Sequence, residues 1–213
     1  KICNINNKYQ TDGALVNETG TNWKQVPEEK QPSNLFKGGR GSQIVASHNK
    51  NENIGRSQQG GTAAMAFPRL GSFILDKGCD KTGLGRWTWL YVGTEERKTR
   101  IVCAYQPVRS SSRGMNGRRR RGGTVWAQHQ RYFQKRGIFN NPRTMFHKQL
   151  VAQLKQWRAK GDEIILFGDF NENIYTGRLA KRLAEEDLLM TEQVRASTGQ
   201  DCPASHIRGT SPI

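Results

Sequence analysis

Apolar residues in this chain follow two rhythms, and the change falls near residue 125. Between residues 61 and 105 they come in short runs: "GTAAMAF" (61–67), "GSFIL" (71–75), "RWTWLYVG" (86–93) and "RIVCAY" (100–105). Turns rich in Gly, Asp and Lys separate them, which predicts strands, and the close spacing predicts antiparallel neighbours. In "RWTWLYV", Trp87, Trp89 and Tyr91 alternate with Thr88, Leu90 and Val92. Aromatics on one face and mostly aliphatics on the other predict a strand covered on both sides. Before residue 60 the clear strand candidate is "IVASH" (44–48), while "EEKQPSNLFKGGRGSQ" reads as loop because Pro and Gly interrupt any period.

Beyond residue 125 the period lengthens. "VWAQHQRYFQKRG" (125–137) is a helix candidate, and "RTMFHKQLVAQLKQWRAKG" (143–161) is a better one. In the second, Phe146, Leu150, Val151, Leu154 and Trp157 form a single stripe, and Gly161 is a good stop. An unbroken apolar run, Ile164 to Phe167, follows, as expected of a strand (164–168) buried on both faces. Another helix is predicted over "GRLAKRLAEEDL" (177–188). Strand meanders with long helices flanking an apolar strand point to an α/β sandwich, sheets packed against helices. The chain shows no internal repeat, and "SSSRGMNGRRRRGG" (110–123) is a basic stretch too polar and Gly-rich to enter a core.

Composition narrows the possibilities. A chain of 213 residues is expected to form one domain with a sizeable core. Mean hydropathy of −0.79 with 24% charged residues predicts a soluble protein, without the apolar stretch a membrane helix needs. The opening residues, "KICNINNKYQ", are polar and lack a signal-peptide pattern. Lys and Arg number 34 against 18 Asp and Glu, a net charge of +16, which favours a polyanionic partner, nucleic acid before acidic membrane. Cys3, Cys79, Cys103 and Cys202 form no CxxC pair, so reduced thiols in an intracellular protein are expected, with the nucleus one option.

Polar residues stand at three strand ends. Tyr105 closes "RIVCAYQP", Asp169 and Asn171 close "IILFGDFN", and Glu18 ends the short apolar piece in "GALVNETGTNW". Taken alone, Gly-Asp-x-Asn reads as a turn; in extended backbone its Asp and Asn would project to the same face. Together with the others it acquires a second meaning. "VNETGTNW", "QQGGTAAM", "RIVCAYQP" and "DEIILFGDFNEN" occur in the order found in the endonuclease/exonuclease/phosphatase superfamily, the DNase I-like fold, which this chain resembles over essentially its whole length. "SHIRGTSPI" resembles the approach to that family's Ile-Asp motif. The phrasing of "ETGTNW" and "GTSPI" is nearest the retroelement-type endonuclease branch.

The resemblance implies a four-layered α/β sandwich, two central and mainly antiparallel sheets flanked by helices. It implies a divalent-metal-dependent phosphodiesterase, an endonuclease cleaving nucleic acid by in-line attack of an activated water. Glu18 would bind the metal, Mg²⁺ or alternatively Mn²⁺. Asp169 would orient or deprotonate the water, Asn171 would bind phosphate or orient that aspartate, and Tyr105 would contact phosphate or assist the leaving group. A hard cation held by few carboxylates suits phosphodiester chemistry. The chain departs from the family pattern at both ends, since the usual first strand and the C-terminal Ser-Asp-His segment are missing, and Val108 stands where many family nucleases have Asn. A truncated chain with about half the catalytic set is therefore expected, its parent being the enzyme. The alternatives are a phosphatase or phospholipase-like enzyme acting on inositol phosphates or lipids, and a catalytically incomplete nucleic-acid-binding module.

His48, His129, His147 and His206 show no metal-ligand spacing and are expected in surface or capping roles. Trp87, Trp89 and Trp157 are expected in the core, whereas Trp23, in a polar neighbourhood, is the candidate for stacking on a base. Gly60 and Gly61 are expected to serve a tight turn. Arg118, Arg119, Arg120 and Arg121, with Arg113 nearby, form a charge run that is ordinarily a solvated loop. Directly after the Tyr-x-Pro motif in so basic a chain, these arginines are expected to contact phosphates, positioning nucleic acid, DNA ahead of RNA, without reading its sequence. Lys37, Arg40 and Arg56 would extend the patch.

Overall fold

The central strands are built where apolar side chains can be buried from both sides. The computed structural model describes residues 10–31, 41–52, 54–109, 122–188 and 190–200, with the backbone of 207–208 and 211–212. In chain order the strands are β1 (Gly13–Asn17), β2 (Gln43–Ser47), β3 (Thr62–Ala66), β4 (Ile74–Cys79), β5 (Trp87–Gly93), β6 (Lys98–Tyr105) and β7 (Glu163–Asp169), and a short hairpin of β8 (Ile207–Arg208) and β9 (Ser211–Pro212) follows. The helices are α1 (Pro68–Gly71), α2 (Val125–Gln134), α3 (Pro142–Arg158), α4 (Arg178–Glu185) and α5 (Gln193–Thr198). One sheet has the order β1-β3-β2, antiparallel throughout. The other has the order β4-β5-β6-β7, antiparallel except for the parallel pair β6–β7.

The two sheets face one another across a thin apolar layer. Ala64 and Ala66 of β3 meet Leu90, Val92 and Cys103, with Leu15, Val45 and Ile101 around them. Alanine is an indifferent strand former; here its small side chain suits the space between two sheets, and all of β3 is buried. The outer face of β5 and β6 is covered by α3, whose Phe146, Leu150, Val151, Leu154 and Trp157 pack on Trp87, Val102 and Ala104. Asn141 caps α3 by accepting from the Thr144 N–H at 2.9 Å, and Pro142 occupies its first position, where no N–H is needed. β5 is thus covered on both sides, as its alternation predicts.

Two expectations need correction. The strand expected at 71–75 lies at 74–79, preceded by the single helical turn α1. Its register against β5 carries it to Cys79, and as an edge strand it presents exposed Asp76 and Lys77, which conceal it from a hydrophobic pattern. β7, expected to be buried on both faces, is the edge of its sheet among the described residues. Leu166 packs on the helix side, but Ile165 and Phe167 are 42% and 52% exposed, because they lie on the inter-sheet face near the edge strand β1. No helix among the described residues is long and apolar enough to cross a membrane.

Candidate active site

Strands β1, β6 and β7 end on one rim. In the parallel β6–β7 ladder, Tyr105 stands opposite Asp169. Asn17, the last residue of β1, stitches the third strand to these two. With its amide oriented to satisfy both neighbours, its nitrogen donates to the Ala104 carbonyl at 3.1 Å and its oxygen accepts from the Asp169 N–H at 3.0 Å. Glu18 follows immediately in left-handed backbone (φ 51°), which turns the chain off the strand. The turn is held by Gly60 and Gly61, whose carbonyls accept from the Gly20 and Thr19 N–H groups at 3.0 and 3.3 Å. Gly61 has φ 88°, and a Cβ there would lie 2.7 Å from the Ser47 carbonyl oxygen, so glycine is required.

Tyr105 is buried, with the Glu18 and Asp169 carboxylates near enough to act on its phenol. Burial first, then the charges of Glu18 and Asp169, push the phenol well above its ordinary range. It is a neutral hydrogen-bond donor at any physiological pH. Behind it the Cys103 thiol is pushed up to about 12 by burial and is inert as a nucleophile.

Asp169 and Asn171 meet by a route other than strand alternation. The strand ends at Asp169, and Asn171 adopts left-handed backbone with φ 50°. Its N–H donates to Asp169 Oδ1 at 3.2 Å, its side-chain nitrogen to the Gln106 carbonyl at 3.0 Å, and its own carbonyl accepts from Arg143 Nη2 at 3.3 Å. Gly168 permits the turn, since a Cβ there would stand 2.4 Å from the Ala104 carbonyl oxygen and 2.7 Å from the Phe170 ring. Non-glycine residues at positive φ are uncommon and cluster where a site over-determines the backbone; Glu18 and Asn171 are two such residues at this rim.

The donor set is hard oxygen: the carboxylates of Glu18 and Asp169, both near a neutral phenol. Among the described residues, no group of three His, Cys, Asp or Glu could hold a metal by itself. Two carboxylates nonetheless fit Mg²⁺, which is commonly bound by one or two, the rest of its shell being water and substrate phosphate.

Other expected residues fall elsewhere. Trp23 opens a 3-10 turn (Trp23–Gln25), half-buried, with its indole N–H buried and without a partner among the described residues. Arg56 is exposed in the loop that lines a cleft with Gln58 and Gln128. Arg113, Arg118 to Arg121, Lys37, Arg40, His206, Cys3 and Cys202 lie outside the described residues. Cys79 and Cys103 are free thiols. The expectation of surface or capping histidines is corrected at three positions: His48, His129 and His147 are all buried. Burial holds His48 down to about 4, helped by Lys50 and Lys24, and His129 down to about 3. Asn17, Gln106 and Arg143 carry no role in the sequence reading, and His147 carries only the surface or capping role corrected above. Gln106 had a signal, a polar residue between Tyr105 and Pro107 at a strand end. Arg143 had another, a cation in a first helical turn, where the macrodipole disfavours it.

No protein-family model and no curated protein matches the chain. Solved structures do. The human Nocturnin catalytic domain with bound sulfate superposes at a TM-score of 0.56 with 15% identity, over 95% of this chain and 67% of that one. The 3′ phosphatase NExo from Neisseria, bound to product DNA hairpin, superposes at 0.57 with 13% identity, over 98% and 74%. The endonuclease domain of TRAS1, a telomere-specific non-LTR retrotransposon, gives 0.41 with 13% identity, over 87% and 63%. An overlap that loose has no bearing on the branch. The first two establish the fold: an α/β sandwich of the DNase I-like kind.

Proposed function

We propose that this chain, whose fold is that of the DNase I-like endonuclease/exonuclease/phosphatase superfamily, carries the active centre of a divalent-metal-dependent phosphodiesterase acting on nucleic acid. The observation that carries this is the meeting of Glu18, Tyr105 and Asp169 at adjacent strand ends, with Asn171 folded back on Asp169. When bound there, Mg²⁺ or Mn²⁺ would supply charge neutralisation for the non-bridging phosphate oxygens. Glu18 and Asp169 are the residues that would hold it.

The remaining chemistry belongs to the side chains. Asp169 aims the attacking water in line and accepts its proton. The Asn171 N–H fixes one oxygen of that carboxylate, which narrows the directions it can take. Tyr105, kept neutral by burial, donates a hydrogen bond where negative charge gathers on phosphate. The net charge of +16 supports a polyanionic substrate over a small one, and DNA is the first to test.

The experiment is plasmid nicking by the chain, with whatever sequence its gene encodes on either side, in Mg²⁺ and in EDTA. Nicking that EDTA abolishes, and that Asp169→Ala reduces about 10²-fold or more, is the expected result. Undiminished nicking by Asp169→Ala removes that residue from the mechanism. Release of phosphate from an inositol phosphate or a 3′-phosphorylated hairpin, without cleavage of any phosphodiester, moves the activity to a phosphomonoesterase.

A further inference from the structure

We propose that His147 is a positioning residue that, through Gln106, fixes the turn carrying Asp169 and Asn171; this rests on the phosphodiesterase proposal above. Gln106 is fully buried and directs all four of its hydrogen-bonding groups at this assembly. Its N–H donates to the Asp169 carbonyl at 2.9 Å. Its carbonyl accepts from Asn171 Nδ2 at 3.0 Å, and its side-chain nitrogen donates to the Phe170 carbonyl. Each residue of the turn from 169 to 171 is therefore tied to Gln106.

The fourth group, Gln106 Oε1, faces His147 Nε2. Because the Gln106 nitrogen is committed to Phe170, its oxygen must be the acceptor, so His147 carries a proton on Nε2. Glu172 Oε1 stands 3.1 Å from the same nitrogen and is a second acceptor for it. The other demands on Glu172 come from the start of α4, where it accepts from the Arg178 and Leu179 N–H groups at 3.0 and 3.2 Å. His147 itself is held within the buried face of α3, beside Phe146. The rigid helix thus supplies a reference point, and Gln106 transfers it to the turn. Without the Nε2–H, Gln106 Oε1 would be a buried acceptor with no partner, which favours rotation of the amide and release of Phe170. Asn171, held in left-handed backbone, would then be able to leave that conformation.

The test compares His147→Ala with His147→Gln, whose side-chain nitrogen can reach the position of Nε2. For His147→Ala, kcat for plasmid nicking is expected to fall about 10²-fold, the cost of misplacing reacting groups by about 1 Å, with KM unchanged. His147→Gln is expected to recover to within tenfold of the native chain. Hydrogen exchange of the Gln106 and Asn171 side-chain amides, followed by NMR, should accelerate in His147→Ala and not in His147→Gln. If His147→Ala does not fold, Gln106→Met cuts the same link and should show the same loss of kcat. Cleavage by His147→Ala within threefold of native, or equal losses in His147→Ala and His147→Gln, overturns the proposal. A native chain that cleaves nothing, yet shows the same exchange pattern, defeats the phosphodiesterase proposal while upholding the positioning role.

Discussion

Tyr105 concentrates the chemistry of the rim in a single hydroxyl. Burial, Glu18 and Asp169 all favour its neutral form, so its contribution is a hydrogen bond rather than a proton given up to solvent. A hydrogen bond to a charged group is worth about 1.5–3 kcal/mol, which converts to roughly 10- to 100-fold in rate. Tyr105→Phe should therefore slow phosphodiester cleavage by that factor, and the pH–rate profile between pH 6 and 9 should keep its shape. A profile that loses a limb in the variant would mean that the phenol titrates, contrary to its surroundings. The buried histidines make a different prediction, about stability. His48 and His129 are held down to about 4 and about 3 in the folded chain, against the ordinary 6.5 when unfolded. A depressed pKa stabilises the fold above the unfolded value, and the stabilisation is lost as pH falls toward the folded value. The melting temperature should thus drop below pH 6.5, each histidine contributing up to about 1.4 kcal/mol per pH unit. His48→Gln, if it folds, should flatten the decline between pH 6.5 and 4.

The elements differ in how much they depend on burial, and mutation should expose the difference. Leu150 of α3 is fully buried between the helix and the sheet, whereas Phe167 of β7 is half exposed. Leu150→Ala should destabilise by about 2–5 kcal/mol and Phe167→Ala by under about 1 kcal/mol, read from urea midpoints. Equal costs would show that β7 is covered in solution. The same contrast explains what was legible in the sequence. The α3 stripe and the alternation of β5 announced themselves because each buries a regular subset of its positions. β4 was misplaced because an edge strand needs few apolar residues, and the polar stretch "DKGC" completes it. The ion pair of Arg86 with Asp80, Nε to Oδ2 at 2.6 Å with both side chains buried, left no trace in a hydrophobic pattern at all. At the candidate site, Glu18, Tyr105 and Asp169 could be read as polar endings of apolar runs. The bonds of Asn17, Gln106 and His147 could not, because their partners are brought close by sheet pairing and helix docking across 41 to 65 residues of chain for Gln106. The left-handed backbone of Asn171 was likewise hidden, since the same Gly-Asp-x-Asn can continue as a strand or turn back.

At the scale of the whole molecule, a rim bearing two carboxylates sits in a chain of net charge +16. The two are compatible if the surrounding cations gather a polyanion and the carboxylates act only on the phosphate that reaches them. Arg118 to Arg121 are the densest local charge; they lie outside the described residues, but their charge at neutral pH does not depend on conformation. Each arginine that meets a phosphate displaces a condensed counterion, so affinity falls with salt in proportion to the number of phosphates neutralised. Replacing Arg118 through Arg121 with Ser should weaken binding to all DNA sequences alike. The slope of log affinity against log salt should flatten by about 0.7 to 0.9 for each phosphate left without its arginine. Fluorescence anisotropy with single- and double-stranded oligonucleotides, from low to physiological salt, reads both effects. A small inositol phosphate has no extended backbone from which counterions are released, so a phosphatase acting on it should keep its substrate affinity after the same replacement. An unchanged slope on both kinds of DNA would return the arginine run to the status of a solvated loop and leave the charge excess to other residues.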